Sequence, residues 1–217
     1  MSHRAIIFDL DGTLLNTLED LGESVNAILS EKGFPPHPMD AYRFFIGDGA
    51  VVLIERALPE GCRDETVIRE CHDMFMKTYK ENLNKKAAPY EGIPELLDEL
   101  TRRQLRLCVL SNKPHELTIQ TMHEKFSTWQ FDMVLGQRDN IPKKPDPAGA
   151  IEIAEYLTIA PSDVLYLGDT AVDMKTAASA GMVPVGALWG FRDRDELLKS
   201  GAKQLIDTPL ELIGLLE

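Results

Sequence analysis

Asp9 and Asp11 stand two residues apart, directly after a short apolar run and directly before Gly12 and Thr13. Two carboxylates this close repel each other unless a cation lies between them or one of them keeps its proton. Both conditions together describe a metal-assisted nucleophile beside a general acid. Taken alone, the pair also fits a turn followed by a helix N-cap. A calcium loop fits less well, since it needs a third Asp or Asn before the glycine and a Glu six residues beyond it. Here Gly12 follows Asp11 at once and the sixth residue beyond it is Leu18. A plainly solvated pair sits poorly after so apolar a run.

Three later stretches carry residues of matching chemistry. Ser111 and Asn112 end the run LRLCVL. A hydroxyl and the backbone N–H groups beside it can hold a phosphoryl oxygen, although a lone Ser before Asn-Lys-Pro reads equally as a helix cap. Lys143 and Lys144 precede Pro145 and Pro147. Proline fixes the local backbone, so a lysine beside it is presented in a defined direction; two loop lysines are otherwise ordinary solvated charges. Asp169 follows the run VLYLG, and Asp173 falls about one turn into the helix expected next. Either acid, isolated, could be no more than a cap.

The elements that must position these groups follow from periodicity. Ala5–Phe8 (AIIF), 105–110 and 164–167 read as strands buried on both faces, with further strands at 131–135, 183–188 and 203–206. Helical patterns lie between them, at 93–103, from Pro114 onward, at 148–156 and at 171–180, and Pro209 opens a closing helix. Such alternation predicts a parallel sheet with right-handed crossovers. All its carboxyl ends then share one edge, where open α/β sheets bind ligands, and Asp9/Asp11, Ser111/Asn112 and Asp169/Asp173 converge there. Residues 17–85 contain no convincing strand. They read as helices, one with Leu18, Leu21, Val25, Ile28 and Leu29 on one face, one carrying Val51, Val52, Ile54 and Leu58, and a long one capped by Asp64. A helical module is thus inserted between the first strand and the rest of the sheet.

The stretch FDLDGTLLNT (8–17) resembles the signature of the haloacid-dehalogenase-like hydrolase superfamily in its phosphatase branch. The resemblance extends over essentially the whole chain. It implies an α/β, Rossmann-like doubly wound parallel-sheet core (1–16 and 86–217) with an inserted α-helical cap domain (17–85). It implies Asp9 as nucleophile and Asp11 as general acid/base. Ser111 matches the phosphate-binding position with Asn112 in support, and Gly12 and Thr13 are grouped with the phosphate- or substrate-binding residues. Lys144 matches the lysine of K-P-x-P that pairs with the nucleophile and the phosphoryl group, which leaves Lys143 as the extra one. The implied cofactor is Mg2+, bound directly by Asp169, at or through its water shell by Asp173, and by an Asp9 carboxylate oxygen and the Asp11 backbone carbonyl. IGDGA (46–50), PYEGI (89–93) and WGF (189–191) look most like phosphoglycolate phosphatases, with Arg43, Gly47 and Asp48 as candidate substrate contacts. The expected reaction is hydrolysis of a small phosphate monoester through an aspartyl-phosphate. A pyrophosphatase, a sugar-phosphate or nucleotide phosphatase, a β-phosphoglucomutase-like phosphotransferase, and a non-catalytic phosphate-binding regulatory protein stay open.

Composition narrows the partners. The 217-residue chain carries a net charge of −12, which disfavours nucleic acid and leaves a small phosphorylated metabolite as the expected partner, on a monomer or homodimer. An anionic substrate then needs local positive charge in the site. No apolar run reaches the roughly 20 residues that span a bilayer, so no membrane partner is expected. The opening MSHRAIIF lacks the apolar segment of a secretion signal, and three cysteines without a C-x-x-C pair suit a reducing compartment; a cytoplasmic location is expected. The five histidines show no metal-ligand spacing and read as surface or structural residues.

Overall fold

The computed structural model describes residues 3–216. The first strand, β1 (Ala5–Phe8), is buried along its whole length. The chain then makes a two-residue strand, β2 (Leu15–Asn16), and four helices: α1 (Leu18–Glu31), α2 (Tyr42–Phe45), α3 (Ala50–Ala57) and α4 (Glu65–Asn82). It returns through β3 (Ala88–Pro89) and alternates from there: α5 (Ile93–Arg102), β4 (Arg106–Pro114), α6 (His115–Phe126), β5 (Met133–Gln137), α7 (Ala148–Leu157), β6 (Val164–Gly168), α8 (Ala171–Ser179), β7 (Val183–Ala187), α9 (Arg194–Lys199) and β8 (Gln204–Ile206). The expected closing helix is a 3-10 helix, Pro209–Leu216.

The main sheet has the order β5-β4-β1-β6-β7-β8, and every neighbouring pair is parallel. This is an α/β, Rossmann-like doubly wound core. Successive side chains of a strand point to opposite faces, and β1 shows the consequence. Ile6 and Phe8 join an apolar cluster with Ile93, Leu96, Leu97 and Leu100 of α5, while Ala5 and Ile7 join another with Ala150, Ile153 and Ala154 of α7. Each large aliphatic side chain so buried contributes about 1.5–3 kcal/mol. A central strand covered on both faces cannot shift its register cheaply, and that fixes where its carboxyl end falls.

Helices α1 to α4 surround a separate apolar cluster containing Leu21, Val25 and Ile28 of α1, Leu53 and Ile54 of α3, and Phe75 and Tyr79 of α4. Asp64 caps α4, its carboxylate accepting from the Val67 N–H at 3.0 Å. In α3, Val51 is 49% exposed, and the inward stripe is Leu53, Ile54 and Ala57. Two helical positions are roughly 200° of rotation, so Val51 and Leu53 cannot share a face.

The passage between sheet and helices is narrow. β2 and β3 pair antiparallel, Leu15 opposite Pro89 and Asn16 opposite Ala88. The buried Asp20 carboxylate of α1 accepts from the backbone N–H groups of Lys86 and Ala87, at 2.9 and 3.1 Å. A charged acceptor on two otherwise unsatisfied donors is a strong local tie. Asp20→Ala is expected to cost about 2–3 kcal/mol and to lower the midpoint of a thermal melt by roughly 5–10 °C.

Candidate active site

Strands β4, β1 and β6 are adjacent and parallel, with β1 in the middle. Their carboxyl ends bring together side chains more than a hundred residues apart in sequence. Asp9 follows β1, Ser111 lies in the last part of β4, and Asp169 follows β6. Carboxylate oxygens of Asp9, Asp169 and Asp173 all lie within 4.8 Å of one another, and all three residues are buried.

Each group is held by more than one partner. The Lys144 ammonium lies 2.9 Å from Asp9 Oδ1 and 2.7 Å from Asp173 Oδ1. The other Asp173 oxygen accepts from the N–H and hydroxyl of Thr170, a capping box at the start of α8. So the reading of Asp173 as a cap and its reading as a site residue are both true, one oxygen for each. Asp169 accepts from the Thr13 hydroxyl at 2.7 Å and from the Phe191 N–H at 2.8 Å. Thr13 is fully buried and its side chain therefore serves Asp169. Gly12 has φ +89°, and a Cβ there would run into Asp169 Oδ2 and the Phe191 ring; the turn after β1 needs glycine on both counts. Asn112 clamps Lys144 by its backbone, accepting from its N–H at 2.9 Å and donating to its carbonyl at 3.1 Å. The buried Ser111 hydroxyl accepts from the Lys113 N–H at 3.3 Å and keeps its own proton to donate.

Charge is unbalanced inside this cluster. Three carboxylates face one ammonium, which leaves two negative charges over. Burial raises the pKa of Asp9 well above the ordinary carboxylate range, and Asp173 beside it adds to the effect. Asp169 is pushed up to about 7 by burial and by Asp173. Lys144 is drawn down by burial, but Asp173 and Asp9 outweigh that and hold it firmly charged. The donors are oxygen only, and the surplus equals the charge of one divalent cation, so the residues suit Mg2+.

Asp11 lies outside this triad. Its Oδ1 accepts from the ammonium of Lys113 at 3.0 Å, and the same ammonium donates to the Tyr79 hydroxyl of α4. Sequence reasoning gave Lys113 no role, since a lysine in Ser-Asn-Lys-Pro carries no mark of burial. In the fold its side chain is 2% exposed. Burial opposes its charge, and Asp11 with Tyr79 more than restores it. Of the cap residues put forward as substrate contacts, Gly47 lines a cavity of about 50 Å3 between the helices and the sheet, together with Asp9, Asp11, Ser111 and Lys113. Arg43 donates instead to the Gly190 carbonyl. The Asp48 carboxylate pairs with Arg56 at 2.7 Å, and its carbonyl takes Lys143 at 2.6 Å. Lys143 is thus a tie between loop and helical module. Arg192, which nothing in the sequence singles out, does the same through the Ile46 carbonyl at 2.9 Å.

The raised pKa of Asp169 fixes a pH dependence. Without a cation, the folded protein keeps a proton that the unfolded chain releases near pH 3.8, so this group's contribution to stability declines as pH rises from about 3.8 to 7. A bound divalent cation replaces that proton. Thermal melts with and without Mg2+ are therefore expected to show stabilisation by the cation that is small at pH 5 and grows to pH 8. A shift independent of pH would contradict a cation held by this triad.

Comparison with known proteins places the chain in a family. The family model for haloacid dehalogenase-like hydrolases matches residues 6–187. A phosphoglycolate phosphatase of Psychrobacter arcticus is 30% identical over 216 residues, covering 95% of this chain and 93% of its own. A phosphoglycolate phosphatase of Aquifex aeolicus is 33% identical over 188 residues, covering 87% and 86%. A crystal structure from Lactobacillus delbrueckii subsp. bulgaricus superposes with a TM-score of 0.94 at 29% identity, over 100% of this chain and 99% of that one. With the acids, lysine and serine of the signature assembled on one sheet edge, the chain belongs to the haloacid dehalogenase-like hydrolase family, in its phosphoglycolate-phosphatase-like branch.

Proposed function

We propose that this phosphoric monoester hydrolase is a Mg2+-dependent phosphatase that cleaves a small phosphate monoester, 2-phosphoglycolate above others, through an aspartyl-phosphate on Asp9. The observation that carries the reading is the buried Asp9–Asp169–Asp173 triad with Lys144 bridging two of its members. The relatives named for phosphoglycolate support the substrate. The cavity beside Asp9, Asp11 and Ser111 gives a small ester room next to these groups.

The proposed chemistry follows from the positions. Lys144 orients Asp9 for in-line attack on phosphorus and offsets charge on the phosphoryl oxygens. Ser111 donates its hydroxyl proton to one of those oxygens, and Asn112 keeps Lys144 in place. Asp11 gives a proton to the departing alkoxide, then takes one from the water that hydrolyses the acyl phosphate. Mg2+ at Asp9, Asp169 and Asp173, with the Asp11 carbonyl, would supply positive charge for both the nucleophile and the phosphoryl group. The helical module (17–85) acts as a cap that excludes water while the ester is bound. Phosphate monoesters require accelerations up to about 10²¹-fold, and only several such effects acting together reach that scale.

The test is phosphate release from a panel of esters: 2-phosphoglycolate, sugar phosphates, nucleotides, pyrophosphate and p-nitrophenyl phosphate, each with Mg2+ and with chelator. Release is expected only with Mg2+ and fastest for 2-phosphoglycolate. Asp9→Asn is expected to lower turnover by at least about 10³-fold with the melting profile of a folded protein. Full activity in that variant would rule out the covalent route.

A further inference from the structure

Besides Lys144 the site holds a second buried ammonium, Lys113, which lines the cavity and which the chemistry above does not use. Lys144 serves the phosphoryl side. Lys113 faces Asp11, on the side toward which the leaving group must depart. An ammonium carries three N–H donors, and the contacts of Lys113 account for two of them, Asp11 Oδ1 and the Tyr79 oxygen. Tyr79 accepts in that bond, so its own O–H proton remains, and among the described residues no acceptor takes it. Burial holds the phenol neutral by raising its pKa to about 12. Two free donors therefore stand side by side in one small cavity, one of them cationic.

The rest of the lining says what they are for. Leu21, Ile46, Leu53 and Phe75, the last stacked on the Tyr79 ring, make an apolar part of its wall. That wall offers no partner to the hydroxyls of a polyol, which would be left unpaired on burial. A planar anion that accepts from Lys113 and Tyr79 together, and turns nothing polar toward the apolar side, meets no such penalty. In an ester whose leaving group is an α-hydroxy acid, the carboxylate oxygens are three bonds from the bridging oxygen. With Asp11 in hydrogen-bond reach of that bridging oxygen, a carboxylate that close cannot avoid the neighbourhood of Lys113.

We propose that Lys113 and Tyr79 form a carboxylate subsite that selects phosphate esters whose leaving group bears a second anion next to the ester oxygen. The proposal rests on the phosphatase reading above. It adds which residues set the preference, and a consequence. Lys113 belongs to β4 of the core and Tyr79 to α4 of the helical module. The subsite is whole only when the two parts meet, so the leaving group is read by the act of closing.

Binding separates this proposal from the hydrolytic one. The Asp9→Asn protein serves as the parent, with Mg2+ present, and two esters are titrated calorimetrically: 2-phosphoglycolate and its neutral analogue 2-hydroxyethyl phosphate. The parent is expected to hold the carboxylate ester at least tenfold more tightly. Lys113→Met is expected to weaken both, since Asp11 loses its partner, and to bring their ratio to within about twofold. Tyr79→Phe, which keeps the lysine and serves if Lys113→Met does not fold, is expected to lower the ratio about threefold. A ratio near one in the parent, or a ratio that neither variant changes, overturns the subsite. Turnover by the wild-type protein with a ratio near one defeats the subsite alone. A large ratio that both variants reduce, when the wild-type protein hydrolyses neither ester, defeats the hydrolytic reading and leaves the subsite standing.

Discussion

Surplus negative charge buried at the end of β1 is the constraint on which the rest of the structure depends. Asp9, Asp169 and Asp173 share a few ångströms of dry space with one lysine. Left free, three such carboxylates would turn apart or into water, because an unpaired buried charge costs several kcal/mol. The fold prevents this by occupying the outer oxygens. Thr170 takes one side of Asp173, Thr13 and the Phe191 N–H take Asp169, and Asn112 fixes the backbone of Lys144. What remains unsatisfied points inward. Under the proposed function, a cation held at that deficit would let Asp9 stay ionised enough to attack.

The helical module meets this edge through a different kind of contact. Asn112, Lys143 and Arg192 from the core each donate to a carbonyl of residues 44–48, and Arg43 returns a bond to Gly190. Such bonds contribute about 1 kcal/mol net for the neutral Asn112 donor and about 1.5–3 kcal/mol for the charged ones, and water can replace each of them. Apolar contact across the seam is limited to a few side chains, among them Leu117 and Phe191. The chain passes between the two parts at a ribbon of two residues per strand, beside the Asp20 tie and the Lys113–Tyr79 bond. An interface made of modest, replaceable bonds beside a narrow hinge suits a cover that must open for each substrate and close over it.

The sheet was legible in the sequence because its evidence is long and redundant. AIIF, LRLCVL and VLYLG can hardly be anything but doubly buried strands, and parallel strands oblige their ends to converge, so Asp9, Ser111 and Asp169 could be grouped before any geometry was known. The ribbon was not legible. Two residues per strand, one of them Pro89, carry no periodicity. The inward stripe of α3 was not legible either, because a helix of eight residues offers too few positions to phase it. Asp20, Lys113 and Arg192 were missed for one shared reason: each is a charged residue whose partner lies on a different element, and the sequence does not record such pairings. His115 went the other way. It was read as surface or structural, and its ring nitrogen accepts from the Gly136 N–H at 3.1 Å, tying α6 to β5.

A chain with a net charge of −12 is a poor attractor of anions at a distance, since its far field repels them. The two buried ammonium groups, Lys113 on the cavity wall and Lys144 beside Asp9, are 2% exposed, too deep to steer an approaching ester through a Debye length of about 8 Å. Their effect is confined to short range, where burial leaves it almost unscreened. A phosphate ester therefore gains little until it has displaced water from the cavity, and it gains most if both of its ends are charged. On this arrangement the anion is selected inside the closed site and not on the way to it.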